Sequence, residues 1–551
     1  MKRALWQIFT RRQTSIGSAA LVLASMVLMS RFLGLIRDRL LAARFAPDEL
    51  GVYFAAFRIP NLLFELLVMG AFTSAFIPVF TRYLTQEKKE DAWRMAAIIM
   101  NISLALLVVV AIPLFVWTEG VSRWFAPGFT SDQVHQMAQF TRLILVLQVT
   151  PLLVGNFYTG ILQSFRSFLV PAMAPVLYNI GIIVGILTLT SPFGLFAPVI
   201  GVGIGAFLFM IIQIPVLVSI GYHHMFVVDF SHKGVRDVAK LMGPRTLGLG
   251  ASQIDTTVDL MLASLLGARM VTIFNFAQHL QQLPVGLFGA TIAQAALPAL
   301  SLSAANNARE DLKRAIITSM HQMLFFILPI GMLFIVLRTP LVRLVFGAAR
   351  FDWEATVLTG MTLSTFSLSL GAQAVVQLLA RAYYALYDSK TPVMVAIGSI
   401  LMNTMLSIMF IQWQKLPVWS LGLSTSIATI SHAIVLFLFL DKRLDRFARV
   451  DLFVPLVKMG VASLAAGVAI YVPLKILDQL VFDTTRTFGL VLLTGVTTSI
   501  GLSVYFFLSW VMGVGEVRSF LTMIKRVRRV PAILLEPARE VINGGTQDKV
   551  Q

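Results

Sequence analysis

The chain contains no cysteine and few charged residues. Its 551 residues include 44 Lys and Arg but only 27 Asp and Glu, and charged residues make up 13% of the total. In an average soluble domain about a quarter of the residues are charged. The absence of cysteine excludes disulfide bonds, thiolate catalysis and metal centres with cysteine ligands. The scarcity of charge, together with 57% hydrophobic residues, excludes a soluble enzyme and a disordered chain.

Long apolar runs account for most of the sequence. A membrane-spanning helix needs about 20 mainly apolar residues, and reading the runs between charges, prolines and glycines gives fourteen such segments between residues 16 and 512. The segments at 50–81 and 271–302 are the weakest of these assignments, because they contain polar residues and proline. The sequence therefore predicts an all-α polytopic membrane protein with about fourteen transmembrane helices.

The distribution of basic residues predicts the orientation. An even number of crossings places both termini on one side, and roughly 26 Lys and Arg lie on that side against about 9 on the other. Cytoplasmic loops carry the excess of Lys and Arg, so we expect both termini in the cytoplasm. The net charge of +17 then reflects topology rather than nucleic-acid binding, and the basic tail at 525–529 is expected to contact lipid.

Related phrases recur in the two halves of the chain. "SRFLGLIRD" from Ser30 resembles "PRTLGLGAS" from Pro244, and "GAFTSAFIP" ending at Pro78 resembles "ATIAQAALP" ending at Pro298. Their order predicts two six-helix lobes with the same orientation, which is typical of transporters that bind substrate between lobes. The predicted divisions are a cytoplasmic N-terminus (1–15), a first lobe (16–221), a cytoplasmic linker (222–240), a second lobe (241–440), two further helices (452–512) and a basic cytoplasmic tail (513–551).

The first two apolar runs contain ionisable residues at membrane depth. Each such residue costs about 2.5–3.5 kcal/mol on insertion scales, so it requires a physical reason. Arg31 and Asp38 are two helical turns apart and share a helix face, with Arg37 beside the acid, and Arg58 and Glu65 have the same spacing. These groups either line a water-filled cavity or pair with each other between helices. The sequence leaves both interpretations open.

The seventh and eighth runs add a second polar group. Asp255 and Asp259 are one helical turn apart, and two close carboxylates can share a proton or a cation, to which Asn403 is a candidate contributor. The alternative is that one of the acids pairs with Arg245 or His279. The ionisable residues in these membrane spans carry more positive than negative charge, and several of them are Arg. Because guanidinium stays ionised and binds phosphate bidentately, this excess favours an anionic, phosphate-bearing substrate.

The phrases "SRFLGLIRD", "FRIPNLL" and "GAFTSAFIPVF", with "LARAYYALYDSKTP" from Leu379, resemble the MurJ/MviN family. The resemblance covers residues 20–510 and includes fourteen helices. It implies the fold of the MATE-like superfamily of multidrug, oligosaccharidyl-lipid and polysaccharide exporters. In that fold two six-helix lobes enclose a central cationic cavity, and the last two helices add a groove for a lipid tail.

The same resemblance implies the activity. Members of the family are lipid II flippases of peptidoglycan synthesis, so we expect transport of lipid II from the inner to the outer leaflet of the bacterial cytoplasmic membrane by alternating access. No bond is broken, which implies a transporter rather than an enzyme. We expect no cofactor, with coupling to a monovalent cation or to the membrane potential left open. The expected partners are lipid II, membrane lipids and cell-wall synthesis proteins, with no nucleic acid.

The family's cavity positions can be carried over residue by residue. Three positions depart from the family pattern, because Phe64 and His279 stand where Arg is common and Met69 stands where Glu is common. The expected substrate-binding residues are Arg31, Arg37, Asp38, Arg58, Asn61, Glu65, Arg245 and His279, and the candidate ion-coupling residues are Asp255, Asp259 and Asn403. No metal site is expected.

Three other functions remain compatible with the sequence. The first is a flippase for another polyprenyl-linked oligosaccharide, which the three departures keep open. The second is a MATE-type antiporter, which would depend on Asp255 and Asp259 rather than on Arg31. The third is a non-transporting scaffold for cell-wall enzymes, which would tolerate changes in the cavity but not in the loops or the basic tail.

Overall fold

The computed structural model describes residues 16–66, 75–483, 486–518 and 520, and all regular secondary structure within these ranges is helical. Within these described ranges, ten helical spans are long and apolar enough to cross a membrane, and a pair bent by 44°, Trp353–Ser367 with Leu370–Ala385, makes eleven. Three further stretches have the length but carry the intramembrane charges. Counting these stretches, which begin at Ile16, Pro47 and Lys233, the fold accommodates the fourteen predicted crossings.

The first lobe begins with helices that carry the charged phrases. Its helices are α1 (Ile16–Arg44), α2 (Pro47–Ala56), α3 (Arg58–Phe64), α4 (Ile77–Thr85), α5 (Lys89–Val116), α6 (Thr118–Phe125), α7 (Ser131–Ile144), α8 (Thr150–Ser164), α9 (Leu169–Phe193), α10 (Phe196–Ile211) and α11 (Ile214–Ser219). We call the membrane side on which α1 begins the near end, and the opposite side the far end. The predicted second span is interrupted at Phe57, between α2 and α3, and its residues 67–74 lie outside the described residues.

The second lobe repeats this order. Its helices are α12 (Lys233–Leu265), α13 (Ala268–Pro284), α14 (Thr291–Ala305), α15 (Arg309–Val336), α16 (Arg338–Phe346), α17 (Trp353–Ser367), α18 (Leu370–Ala385), α19 (Lys390–Ile408) and α20 (Trp419–Arg443). Helix α12 begins inside the predicted linker, so its first turns extend the second lobe toward the near end. There Arg82 of α4 donates to Asp237 of α12.

The internal repeat is visible in the helix bounds. Helices α5 and α15 both have 28 residues, and they begin at Lys89 and Arg309. Helices α1 and α12 end at Arg44 and Leu265, which are separated by almost the same interval of sequence. Two six-helix units of the same orientation follow from this common spacing, as the sequence predicted.

One predicted alignment within the repeat is wrong. The phrases from Ser30 and Pro244 align Arg31 with Arg245, whereas the ends of α1 and α12 require a longer offset between the lobes. The error is about two turns of helix, and such a shift leaves the apolar face nearly unchanged. In the structural register Asp38 corresponds to Asp259, and Arg58 corresponds to His279.

Two long helices complete the fold. Helices α21 (Arg449–Leu480) and α22 (Thr487–Val511) pack against each other and against α15 of the second lobe. A buried aromatic cluster holds them there, in which the Tyr505 hydroxyl donates to the Phe325 carbonyl oxygen at 2.7 Å. The chain from 521 onward, which includes most of the predicted tail (513–551) and its basic run at 525–529, lies outside the described residues.

Candidate functional site

The two lobes meet closely at the far end. A Cβ atom on Gly51 of α2 would lie 1.8 Å from the carbonyl oxygen of Ala268 on α13, so these helices cross with their backbones in contact. Beside the crossing, Thr272 donates to the Pro47 carbonyl oxygen. A single hydrophobic core at this end contains residues of both lobes. The far end is therefore closed.

An ion-pair cluster reinforces this closure. Arg269 donates to both carboxylate oxygens of Asp352 and lies 3.2 Å from Glu354 and 3.9 Å from Asp48 of the first lobe. Burial acts to raise the pKa of the Asp352 carboxyl, but the hydrogen bonds from Arg269 and from the Ala355 backbone outweigh it and lower that pKa. We call Asp48, Arg269, Asp352 and Glu354 the far-end cluster.

A cavity of about 460 Å³ lies between the lobes below this closure. Its cationic side chains come from the first lobe, whereas the second lobe contributes mainly amides. The lining comprises Arg37, Tyr53, Phe54, Phe57, Arg58, Asn61, Glu65, Gln148, Tyr178 and Ile182 from the first lobe, and Gln253, Thr256, Leu260, Phe274, Asn275, Gln278, His279 and Gln282 from the second. We call this space the central cavity. It falls within the usual range for small-ligand pockets.

Arg37 is fixed at the cavity wall by two contacts. Its Nε donates to Asp38 at 2.9 Å, and its Nη1 donates to the Asn179 side-chain oxygen at 3.2 Å. Asp38 is only 2% exposed and also contacts His279 Nδ1 at 2.8 Å. Asp38 therefore lies behind the cavity surface and orients two groups that face the cavity, Arg37 and His279.

Arg58 is held by neutral groups of the other lobe. Its Nε donates to Thr257 at 2.9 Å, and its Nη2 donates to the Gln253 side-chain oxygen at 2.8 Å and to the Gln253 backbone. Arg58 and Glu65 both line the cavity, but no ion pair joins them within 4 Å. The positive charge of Arg58 is thus not cancelled by a carboxylate in direct contact.

The two inter-lobe contacts are related by the repeat. The first helix of the first lobe reaches the second lobe through Asp38 and His279, and the first helix of the second lobe reaches the first lobe through Thr257 and Arg58. Arg58 and His279 are equivalent positions in the structural register. Each lobe therefore presents a basic side chain from its second span to the first helix of the other lobe.

Arg31 lies outside the central cavity. It is exposed and lines a neighbouring cavity of about 500 Å³, which shares Tyr178 with the central one. Within the described part of the chain its guanidinium makes no ion pair, and it lies 3.8 Å from the place a Cβ on Gly286 would take in the second lobe. Arg31 is thus positioned at the near-end approach to the central cavity, with no carboxylate in contact.

The three candidate ion-coupling residues are brought together. The Asn403 amide nitrogen donates to Asp255 at 2.9 Å and to Asp259 at 3.3 Å. Asp259 and Asn403 are buried. The alternative that one acid pairs with His279 is wrong, because His279 contacts Asp38. Among the described residues, no group of three His, Cys, Asp or Glu is arranged to hold a metal ion.

Of the remaining predicted positions, two line a cavity and two have side chains that are not described. Asn61 lines the central cavity and Phe64 lines the adjoining one. The side chain of Arg245 and all of Met69 lie outside the described residues, so no contact is assigned to either.

Sequence reasoning missed several polar residues of the site. Asn179 anchors Arg37 and also donates to the Ser30 backbone and hydroxyl, and Gln253 and Thr257 hold Arg58. Asn179 is a lone amide in an apolar helix, and that isolation is a signal that could have identified it. Gln253 and Thr257 had no comparable signal, because their partner lies 195 residues or more away in the chain.

Comparison with known families gives a match over most of the chain. The sequence model of the family described as "Lipid II flippase MurJ" matches residues 43–489. A lipid II flippase MurJ of Burkholderia cenocepacia is 27% identical over 437 residues, covering 77% of this chain and 84% of the relative. A probable lipid II flippase MurJ of Bdellovibrio bacteriovorus is 27% identical over 523 residues, covering 93% of this chain and 96% of the relative.

Solved structures show the same architecture. A lipid II flippase MurJ in an inward closed conformation superposes with a TM-score of 0.73 at 24% identity, covering 88% of this chain and 99% of that structure. An inward-facing multidrug resistance transporter of the MATE family gives a TM-score of 0.63 at 18% identity, covering 77% of this chain and 98% of that structure. At these identities the likeness establishes the fold.

Proposed function

Because the chain belongs to the MurJ family of lipid II flippases, we propose that it moves lipid II across the membrane by binding the lipid's diphosphate at Arg37 and Arg58. The chain is a multi-pass transporter, not an enzyme. The observation that carries the assignment of the site is a cavity in which two arginines face the same space, one of them without a carboxylate partner. Such guanidinium groups bind diphosphate oxygens bidentately.

The charge distribution supports this role. The first lobe supplies Arg37 and Arg58, and the second lobe faces them with the amides of Gln253, Asn275 and Gln278. Amides donate to and accept from sugar hydroxyl and peptide groups, which surround the diphosphate in a glycopeptide head. A cavity of about 460 Å³ is too small for the whole head, so the lobes must part to admit it while the polyprenyl tail remains in lipid.

The route follows from the closed far end. Lipid II enters from the near end past Arg31, whose charge attracts the diphosphate, and the far-end cluster then opens as the lobes rock about the bound head. The excess of Lys and Arg on the near side supports a cytoplasmic location for that side and for both termini. The membrane is the bacterial cytoplasmic membrane, where the product is delivered to the outer leaflet.

Asp255, Asp259 and Asn403 are the proposed coupling site. Two carboxylates share one amide donor there, so a proton or a monovalent cation would offset their charge. The membrane potential can also act on moving charge directly, at about 2.3 kcal/mol per charge per 100 mV. Transport measured without Na⁺, and again with the potential collapsed, separates these two sources of driving force.

The test is complementation of a bacterial strain depleted of its own lipid II flippase. The wild-type chain is expected to restore growth, and Arg31→Ala and Arg58→Gln are expected to fail at normal membrane levels. A matched control is Arg350→Gln, which removes an exposed far-end arginine away from the cavity. Rescue of a mutant lacking a different polyprenyl-oligosaccharide flippase, without rescue of lipid II depletion, would assign another cargo. The proposal also includes cell-wall synthesis proteins as binding partners of the chain.

A further inference from the structure

A second charged crevice lies at the far end, away from the central cavity. It has a volume of about 530 Å³ and separates α16 of the second lobe from the last two helices. Its charged lining comprises Arg338, Arg343, Lys475 and Asp478, with the rings of Trp353 and Tyr471 at its sides. We call it the far-end crevice.

The crevice has an excess of positive charge. Three cations face one carboxylate, and no side chain among Arg338, Arg343 and Lys475 forms an ion pair within 4 Å or a hydrogen bond with the rest of the described chain. The Arg343 guanidinium instead lies 5.8 Å from the centre of the Trp353 ring. The lining thus has a formal charge of +2, and its cations form no ion pair with the described residues, so an anionic ligand would contact them favourably.

The aromatic residues place the crevice at the membrane surface. Trp353 is 61% exposed and Tyr471 is 54% exposed, and both lie toward the far ends of membrane-crossing helices. Trp and Tyr favour the level of the lipid headgroups. The crevice also lies beside exposed apolar residues of the last two helices, such as Val472, Ile476 and Val491. A ligand with a charged head and acyl chains fits this combination.

The crevice shares a helix with the closed inter-lobe contact. Arg39 of the first lobe donates to the carbonyl oxygens of Leu344 and Val345 on α16, directly after Arg343. Trp353 stands between Asp352 and Glu354 of the far-end cluster. A ligand that binds Arg343 and Trp353 would therefore restrict the movement of α16 and of the first turn of α17. Both elements contribute to the contact between the lobes at the far end.

We propose that the far-end crevice binds the phosphate of an anionic phospholipid from the leaflet opposite the termini, and that the bound lipid stabilises the closed far end. The occupant is a resident phospholipid rather than the transported lipid, because the crevice is formed while the central cavity is shut from this side. The proposal does not depend on the cargo. Only the naming of the leaflet as the outer one depends on the proposed orientation.

The first experiment measures lipid retention on the purified full chain by native mass spectrometry. The protein is released from zwitterionic phosphatidylcholine nanodiscs and titrated with phosphatidylglycerol. We expect wild type to retain phosphatidylglycerol over phosphatidylcholine, and the triple variant Arg338→Gln, Arg343→Gln, Lys475→Gln to bind it at least tenfold more weakly. The matched control, Lys240→Gln, Lys390→Gln, Lys442→Gln, removes the same charge from exposed near-end positions and is expected to retain wild-type binding.

The second experiment measures closure. Because the chain has no native cysteine, spin labels at Arg123→Cys and Lys415→Cys report the far-end distance between the lobes. Phosphatidylglycerol is expected to raise the short-distance population in wild type and in the control, but not in the triple variant.

Three results would overturn the proposal. Equal retention by the triple variant and wild type would show that the crevice is not the site. Equal losses of phosphatidylglycerol binding in both triple variants would show that binding depends on the total charge of the protein rather than on the crevice. Displacement of phosphatidylglycerol by a polyprenyl diphosphate at tenfold lower concentration, or by inorganic diphosphate alone, would assign the crevice to the transported lipid or to a soluble anion.

Discussion

At the scale of single residues, the site depends on how each arginine is held. Arg37 makes directed contacts with Asp38 and Asn179, whereas Arg31 makes no ion pair with the described residues. A lysine carries the same charge but lacks the planar fork that contacts two partners at once. The two positions should therefore respond differently to the same conservative change.

Replacing each arginine by lysine tests this difference. We expect Arg31→Lys to keep at least half of the wild-type transport rate, because a positive charge at the approach is all that position supplies. Arg37→Lys should lower the rate at least tenfold, because the Asn179 contact is lost. Lipid II translocation in reconstituted vesicles gives both rates, and equal losses in the two variants would contradict the assigned roles.

Asp38 combines two roles at one residue, since it is buried and contacts both Arg37 and His279. Removing one partner of a buried ion pair costs about 3–5 kcal/mol, because the other charge is left uncompensated. Asp38→Asn is therefore expected to lower the melting temperature of the purified protein and to abolish transport. Asp91→Asn, at an exposed acid in the first turn of α5, is the control, and an Asp38→Asn protein as stable as that control would contradict the account.

At the scale of helices, closure of the far end requires a small residue where α2 and α13 cross. A methyl group at Gly51 would overlap the Ala268 carbonyl oxygen, and that backbone atom cannot move away as a flexible side chain would. The lobes must then separate at this end. The crossing is therefore the place where the smallest possible change should shift the conformation.

Gly51→Ala is expected to convert most of the closed population to a far-end-open form. The distance between spin labels at Arg123→Cys and Lys415→Cys measures that shift. Gly120→Ala serves as the control, because a Cβ at Gly120 meets nothing within 4 Å. An unchanged distance distribution in Gly51→Ala would mean that the crossing does not set the closure.

The helices themselves were largely predictable, whereas their register and contacts were not. Hydropathy located the spans, and repeated phrases predicted the two lobes. The phrase from Ser30 was aligned about two turns off, because such a shift presents the same apolar face. The pairing of Asp38 with His279 joins positions that lie 241 residues apart in the chain, and no local pattern specifies which helices meet across the lobes. The neutral partners of Arg58 were missed for the same reason.

At the scale of the whole molecule, the far-end cluster gives closure a defined pH dependence. The pKa of the Asp352 carboxyl lies below its ordinary value of 3.8 in the closed structure. A lowered pKa means that the contact contributes fully above the ordinary value and is lost as the pH falls through the lowered one. Closure should therefore be constant from pH 8 to pH 5 and weaken only below about pH 4.

The same spin-label pair measures this dependence in vesicles. Asp352→Asn is expected to be less closed than wild type at neutral pH and to approach wild type in acid, because the variant cannot titrate and lacks the ion pair with Arg269 at every pH. Opening of the wild-type protein between pH 7 and pH 5 would contradict the assignment, since it would require a group with a higher pKa to control the far end.

The central claim is that guanidinium groups facing the inter-lobe cavity bind a lipid diphosphate and carry it across. The most direct measurement is lipid II translocation by the purified chain in vesicles, with wild type compared with the double variant Arg37→Gln, Arg58→Gln. The account predicts rapid translocation by wild type and a loss of at least a hundredfold in the double variant, with both proteins folded and inserted equally. Translocation at the wild-type rate by the double variant would contradict it.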